Sequence, residues 1–145
     1  MKRILVATDG SDGAGRAIDY AAHSATETGA ELVIVNVVGA YGLPDALMRA
    51  FTQTQQVWFD ELLAATSAEL LTAARLRAQS AGATQVRLDS RRGEIVPEII
   101  AAAKDSAASV IVVGKRGTGR IGELLLGSVS QRLASLAPIP VTVVP

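Results

Sequence analysis

Residues 109–130 read SVIVVGKRGTGRIGELLLGSVS. The stretch opens on a β-branched apolar run, Ser109–Val113, then breaks into Gly114, Gly117, Gly119, Gly122 and Gly127 before a helical pattern starts at Ser128. A short continuous apolar run suits a strand buried on both faces. Strand, glycine-rich loop and helix in succession form half of a βαβ crossover. Working outward, the same alternation fills the chain. Further strands are expected at Ile4–Thr8, Glu31–Val38 (ELVIVNVV), Gln85–Ser90 (QVRLDS) and Val141–Val144. Helical spacing places helices at Gly13–Thr28, Phe51–Ala81, Ile95–Ser106 and Ser128–Ala137. Gly29 and Gly82 stand where C-caps belong, Pro97 fits a first turn, and Pro138 and Pro140 end the last helix. The order β-α-β-α-β-α-β-α-β predicts an α/β domain with a parallel sheet and helices on both faces. Gly39–Ala50 (GAYGLPDALMRA) reads as a punctuated insertion, and residues 1–145 as one domain.

Composition narrows the function classes. With 145 residues, 14 Lys+Arg against 14 Asp+Glu and 49% hydrophobic residues, the chain can bury a core and is not a disordered polyelectrolyte. Zero net charge argues against a nucleic-acid polymer as partner and against a polybasic membrane anchor. No cysteine is present, which excludes disulfides, Cys-ligated zinc and thiolate catalysis. The apolar run after Met1-Lys2-Arg3 stops at Thr8-Asp9-Gly10, too short for a signal-peptide core of roughly 7–15 residues. No stretch approaches a membrane span, so the expected location is the cytoplasm.

In open parallel sheets ligands bind outside the carboxyl ends of the strands. That rule selects Thr8–Gly15, Val37–Tyr41, Ser90–Glu94 and Gly114–Gly127. The last suits an anion: glycines let backbone N–H groups approach oxygens, a helix start offers donors and a positive dipole end, and Lys115, Arg116 and Arg120 stand alongside. Equally, Gly114 and Gly117 can make a simple turn, Ser128 can merely cap, and the cations can be solvated. Two phosphate fingerprints fail. Ser109 stands where a P-loop needs its first glycine and Arg116 where it needs Ser or Thr; after the first strand, Ile18 occupies the place of the third glycine of a dinucleotide motif.

The spacing Gly114-x2-Gly117-x9-Gly127-Ser128 resembles the ATP-binding class of the universal stress proteins. ILVATDGSDGAGRAIDYA resembles that family's first strand, acidic loop and first helix; GEIVPEIIAAA its third helix; the segment from Ser109 to Val144 its closing block. The resemblance implies a doubly wound five-stranded parallel sheet of order 3-2-1-4-5, the adenine nucleotide alpha hydrolase-like architecture. It implies ATP, or AMP or ADP, as ligand, with Mg²⁺. Position by position, it assigns Asp9 to the adenosine, Val38 to the adenine side, and Val113 and Gly114 to the flanks of the nucleoside. Gly117, Gly127, Ser128, Val129 and Ser130 fall on the phosphate side, with Arg116 at a variable position between the paired glycines. It also implies a homodimer through antiparallel pairing of the last strands, Val141–Val144. Three positions depart from the family: Ser109 replaces an Asp, Asn36-Val37 a His-Val pair, and Lys115 a small residue.

Other residues carry plainer readings. Asp9 can contact ligand or form an Asx turn, while Asp12 stands where the first helix needs a cap. His23 lies four residues after Asp19, an exposed helix pair. Of Trp58 and Phe59, one is expected in the core. Arg75, Arg77, Arg87, Arg91 and Arg92 are interspersed with acids and read as a mixed surface, although Arg91 and Arg92 lie in a loop that can reach a phosphate. No general base is aimed at a γ-phosphate, so the expected function is adenine-nucleotide binding in stress regulation rather than turnover. The alternatives are a slow ATPase or phosphotransferase, and a dimeric interaction module that binds no nucleotide.

Overall fold

The computed structural model describes residues 2–39, 45–115 and 127–145. Its strands are β1 (Arg3–Ala7), β2 (Glu31–Val38), β3 (Val86–Arg92), β4 (Val110–Gly114) and β5 (Val141–Val144). Its helices are α1 (Asp12–Thr28), α2 (Asp45–Ala50), α3 (Gln53–Ser80), α4 (Ile95–Ser106) and α5 (Ser128–Leu136). The sheet runs β3-β2-β1-β4-β5 with every neighbouring pair parallel, the order that the resemblance implies. The helix α2 falls inside the expected insertion.

Both faces of the sheet are buried, which is why β1, β2 and β4 lack polar alternation. Ile4, Val6, Leu32 and Ile34 pack on one face against Ala17, Ala21 and Ala22 of α1 and Leu71, Ala74 and Ala78 of α3. Leu5, Val33, Val35 and Ile111 pack on the other against Val96, Ile99 and Ala103 of α4 and Leu133 of α5. Alanines dominate α1's inner stripe, so that helix lies close to the strands. The core of α3 is confined to its second half: its buried residues begin at Ser67. The first half carries exposed Val57, Trp58 and Leu62. Trp58 is 66% exposed and Phe59 meets Phe51 edge-on at 6.1 Å, so neither aromatic joins the main core. Helical periodicity alone could not show that α3 outruns the sheet.

Capping explains the helix starts. Ser11, not Asp12, caps α1: its hydroxyl accepts from the Ala14 N–H at 3.2 Å. Thr52 and Gln55 form a reciprocal capping box that starts α3 at Gln53. Among the described residues no helix is long and apolar enough to cross a membrane.

Candidate functional site

Parallel topology places the carboxyl ends of β1, β2 and β4 together, with the starts of α1 and α5 beside them. A cavity of about 590 Å³ opens there. Thr8 and Asp9 border it from the end of β1, Val35–Val38 from β2, Val113 and Gly114 from β4, and Gly127–Ser130 from the start of α5. Leu63, Thr66 and Leu70 of α3 and Ile95 and Ile99 of α4 complete the wall. Asp9, Val38, Val113, Gly114, Gly127, Ser128, Val129 and Ser130, named from the sequence, thus meet around one space. Arg116 and Gly117 lie outside the described residues.

Each wall has a local cause. Asp9 leaves the ladder just after the Thr8 N–H donates to Val35 O at 2.9 Å. The exposed Asp9 side chain forms an Asx turn, Oδ1 accepting from the Ser11 N–H at 3.0 Å. Gly10, at φ +80°, supplies the left-handed turn residue, and its N–H donates to the Thr8 hydroxyl at 3.2 Å. Gly114 is required for a different reason. A Cβ there would sit 2.8 Å from the carbonyl carbon and oxygen of Gly13, backbone that cannot step aside. The missing side chain lets the first turn of α1 press against the end of β4.

The start of α5 is organised by the Lys115 carbonyl. It accepts from the Gly127 N–H at 2.8 Å and from the Ser130 hydroxyl at 2.8 Å. The Ser130 hydroxyl also contacts Gly127 O at 3.0 Å. A hydroxyl has one proton, so both contacts draw on the same donor. Ser130, 2% exposed, therefore ties the start of α5 to the end of β4. Neither it nor Ser128 caps α5: the N-cap is Gly127 and, among the described residues, no side chain fills that role. The helix start is left to its dipole and backbone donors, an arrangement suited to an anion.

The arginines are held elsewhere. Arg91 pairs with Asp89 at 2.9 Å and Asp105 at 2.8 Å, with Glu98 nearby, and Arg92 pairs with Asp60. Carboxylates thus take the side chains that the sequence left free to reach a phosphate. Arg77, on α3, binds Asp19 through two hydrogen bonds, 2.8 and 2.7 Å, which hold the Asp19 carboxyl below the usual carboxylate range. Asp19 thus makes its ion pair across two helices, and His23 adds a weaker attraction along its own helix.

The sequence reading passed over Asn36 and Ser67 as site residues. Asn36, 5% exposed, borders the cavity; its Nδ2 donates to Thr8 O at 2.8 Å and its Oδ1 accepts from the Ser67 hydroxyl at 2.8 Å. The available signal was an amide inside the apolar run ELVIVNVV, since a buried polar group must find a partner.

Comparison with known proteins places this geometry. The profile of the universal stress protein family matches residues 1–145. The chain belongs to the universal stress protein family. It is 34% identical to the universal stress protein YxiE of Bacillus subtilis strain 168, across 99% of both chains. It is 36% identical to a universal stress protein of Thermus aquaticus, across 99% of this chain and 98% of the relative. Among solved structures it resembles the universal stress protein UspA from Lactobacillus plantarum, with 26% identity and a TM-score of 0.81 over 99% and 97% of the two chains. It also resembles a universal stress protein solved in complex with cAMP, with 27% identity and a TM-score of 0.73 over 99% and 95%.

Proposed function

We propose that this universal stress protein is a cytoplasmic regulator that binds an adenine nucleotide, ATP with Mg²⁺ foremost, at the carboxyl end of its sheet. One observation carries the reading: Asp9, Val38, Val113, Gly114 and the start of α5 enclose a single cavity. Its apolar lining from Val35, Val37, Ile95 and Ile99 suits a base, and the start of α5 suits phosphates. Asp9 has a carboxylate oxygen left over from its turn to take a ribose hydroxyl or a Mg²⁺-bound water. The related protein in complex with cAMP lends further support. Gly117 belongs to the phosphate side by its place in the motif, and Arg116, at the variable position beside it, brings a cation to the same loop.

The output of the site is binding. The last strand supplies the second half of the reading, a homodimer: β5 is an edge strand of half-buried residues, three of them valine, and among the described residues no strand pairs with its outer side, which suits antiparallel pairing with a second copy. Titration calorimetry of the purified protein with Mg·ATP tests the site. One nucleotide per chain is expected for wild type, and affinity lower by at least tenfold for Gly127→Val, which puts a branched side chain where the cavity meets the start of α5. Equal binding by both proteins, or no heat from wild type, overturns it. Light scattering on a Val143→Lys variant tests the dimer, with a fall to monomer mass expected; an unchanged mass would place the interface elsewhere.

A further inference from the structure

We propose that Asn36 and Ser67 are positioning residues that hold Asp9 ready for its ligand, through a one-way chain of hydrogen bonds running under the cavity. This rests on the nucleotide-binding reading above and adds to it residues that touch Asp9 only through others.

The direction of the chain follows from proton bookkeeping. Thr8 O can only accept, so the amide nitrogen of Asn36 must face it, at 2.8 Å. That orientation turns Asn36 Oδ1, again only an acceptor, toward Ser67, whose one hydroxyl proton is thereby committed at 2.8 Å. In the remaining contact, Ser67 Oγ to Ser90 Oγ at 2.8 Å, Ser90 must then be the donor. Donation runs Ser90 to Ser67 to Asn36 to Thr8, from β3 through α3 and β2 to β1. Ser67 is 0% exposed and Asn36 5%, so water does not readily replace a lost partner.

The chain ends at the residue before Asp9. Thr8 is gripped twice more, its N–H by Val35 O and its hydroxyl by the Gly10 N–H. Asp9 is then held on its far side by the Ser11 N–H. With its backbone anchored before and its carboxylate anchored after, Asp9 has little freedom left. Removing the Ser67 hydroxyl strips a partner from a buried amide oxygen, frees Asn36 to turn, and loosens the Thr8 carbonyl. The result is a carboxylate that must be ordered when ligand arrives, at the expense of affinity.

A double-mutant cycle with Mg·ATP distinguishes positioning from plain stabilisation. Ser67→Ala is expected to weaken ATP binding about tenfold in the wild-type background. In an Asp9→Ala background the same change should alter affinity less than about twofold, while lowering the melting temperature equally in both. Ser90→Ala, at the exposed start of the chain, should show the same pattern at smaller size and serves if Ser67→Ala folds poorly. A tenfold loss in both backgrounds, or a lowered melting temperature with unchanged affinity, overturns the proposal. Amide exchange at Ser11 is read without ligand. Faster exchange in Ser67→Ala supports positioning even if wild type binds no ATP, an outcome that would defeat the nucleotide reading alone; unchanged Ser11 exchange counts against positioning.

Discussion

The two ends of the sheet solve the same problem with different chemistry. At the amino end, beside the neutral hydroxyls of Ser106 and Ser109, charged groups pair: Glu31 lies 3.5 Å from Arg3 and 3.3 Å from Arg87, and Arg3 also donates to Ser106 O at 3.1 Å. At the carboxyl end the buried polar groups, Thr8, Asn36, Ser67 and Ser130, are neutral and hydrogen-bonded, and the ion pairs of Arg91 and Arg92 sit on the edge strand β3. Asp9 there makes no salt bridge among the described residues. A charged pair closes a surface by offsetting its opposite charges, even though Arg3 Nε and Glu31 Oε1 find no hydrogen-bond partner among the described residues. A neutral network shapes a wall while leaving the field of the helix starts uncancelled, and that is the end at which an anion can be received.

Substitutions at the two ends should therefore differ in kind. The largest effect is expected at Gly114. Gly114→Val puts a branched side chain against Gly13 backbone, costing about 3 kcal/mol of stability by overpacking and abolishing nucleotide binding; denaturant melts and calorimetry read both. Next, Asp9→Ala should lose only the exposed contact to Ser11, under about 1 kcal/mol of stability, yet weaken ATP binding at least tenfold. At the opposite end, Arg87→Ala removes one half-exposed ion pair. It should cost less than about 1 kcal/mol and leave ATP affinity unchanged; a change in affinity would break the contrast between the ends.

The smallest effects belong to α1 and α3, away from both ends. Gly15→Ala places a Cβ 2.3 Å from Arg77 Nη1, the movable end of a long side chain. The pair with Asp19 is lost, worth under about 1 kcal/mol at an exposed site, while alanine gains a similar amount over glycine within a helix. Near-zero net change is expected. The Asp19 carboxyl titrates below its ordinary value when folded, so its contribution is present at neutral pH and is lost as pH falls through that lowered value. The stability difference between wild type and Asp19→Asn should thus shrink below about pH 4.

Much of this was legible in the chain. The runs ILVA, ELVIVNVV and SVIVV declare buried parallel strands because both sheet faces are covered, and Ile95–Ser106 was readable to the residue. Alternating strands and helices implied the crossover topology, and the glycine spacing resembled the family. What local pattern could not supply is tertiary. Ser11 displaces Asp12 as cap because the Asx turn at Asp9 delivers its hydroxyl to Ala14. Ser109, in place of the family's acid, bonds Arg3 O at the amino end of the sheet, away from the cavity. The resemblance puts Ser130 on the phosphate side, and the Lys115 carbonyl that accepts from its hydroxyl is fifteen residues away in sequence. Asn36 stands out in the sequence only as a departure from the family's His-Val pair, and Ser67 not at all, because their significance lies in each other.

Hydrogen exchange across the whole chain, with and without Mg·ATP, tests the central claim most directly. Slowed exchange is predicted at Asp9–Ser11, at Val38 and at Gly127–Ser130, with Arg3, Glu31 and Ser109 unchanged. Protection at the amino end of the sheet, or no protection at Asp9–Ser11 and Gly127–Ser130 under saturating nucleotide, would contradict it.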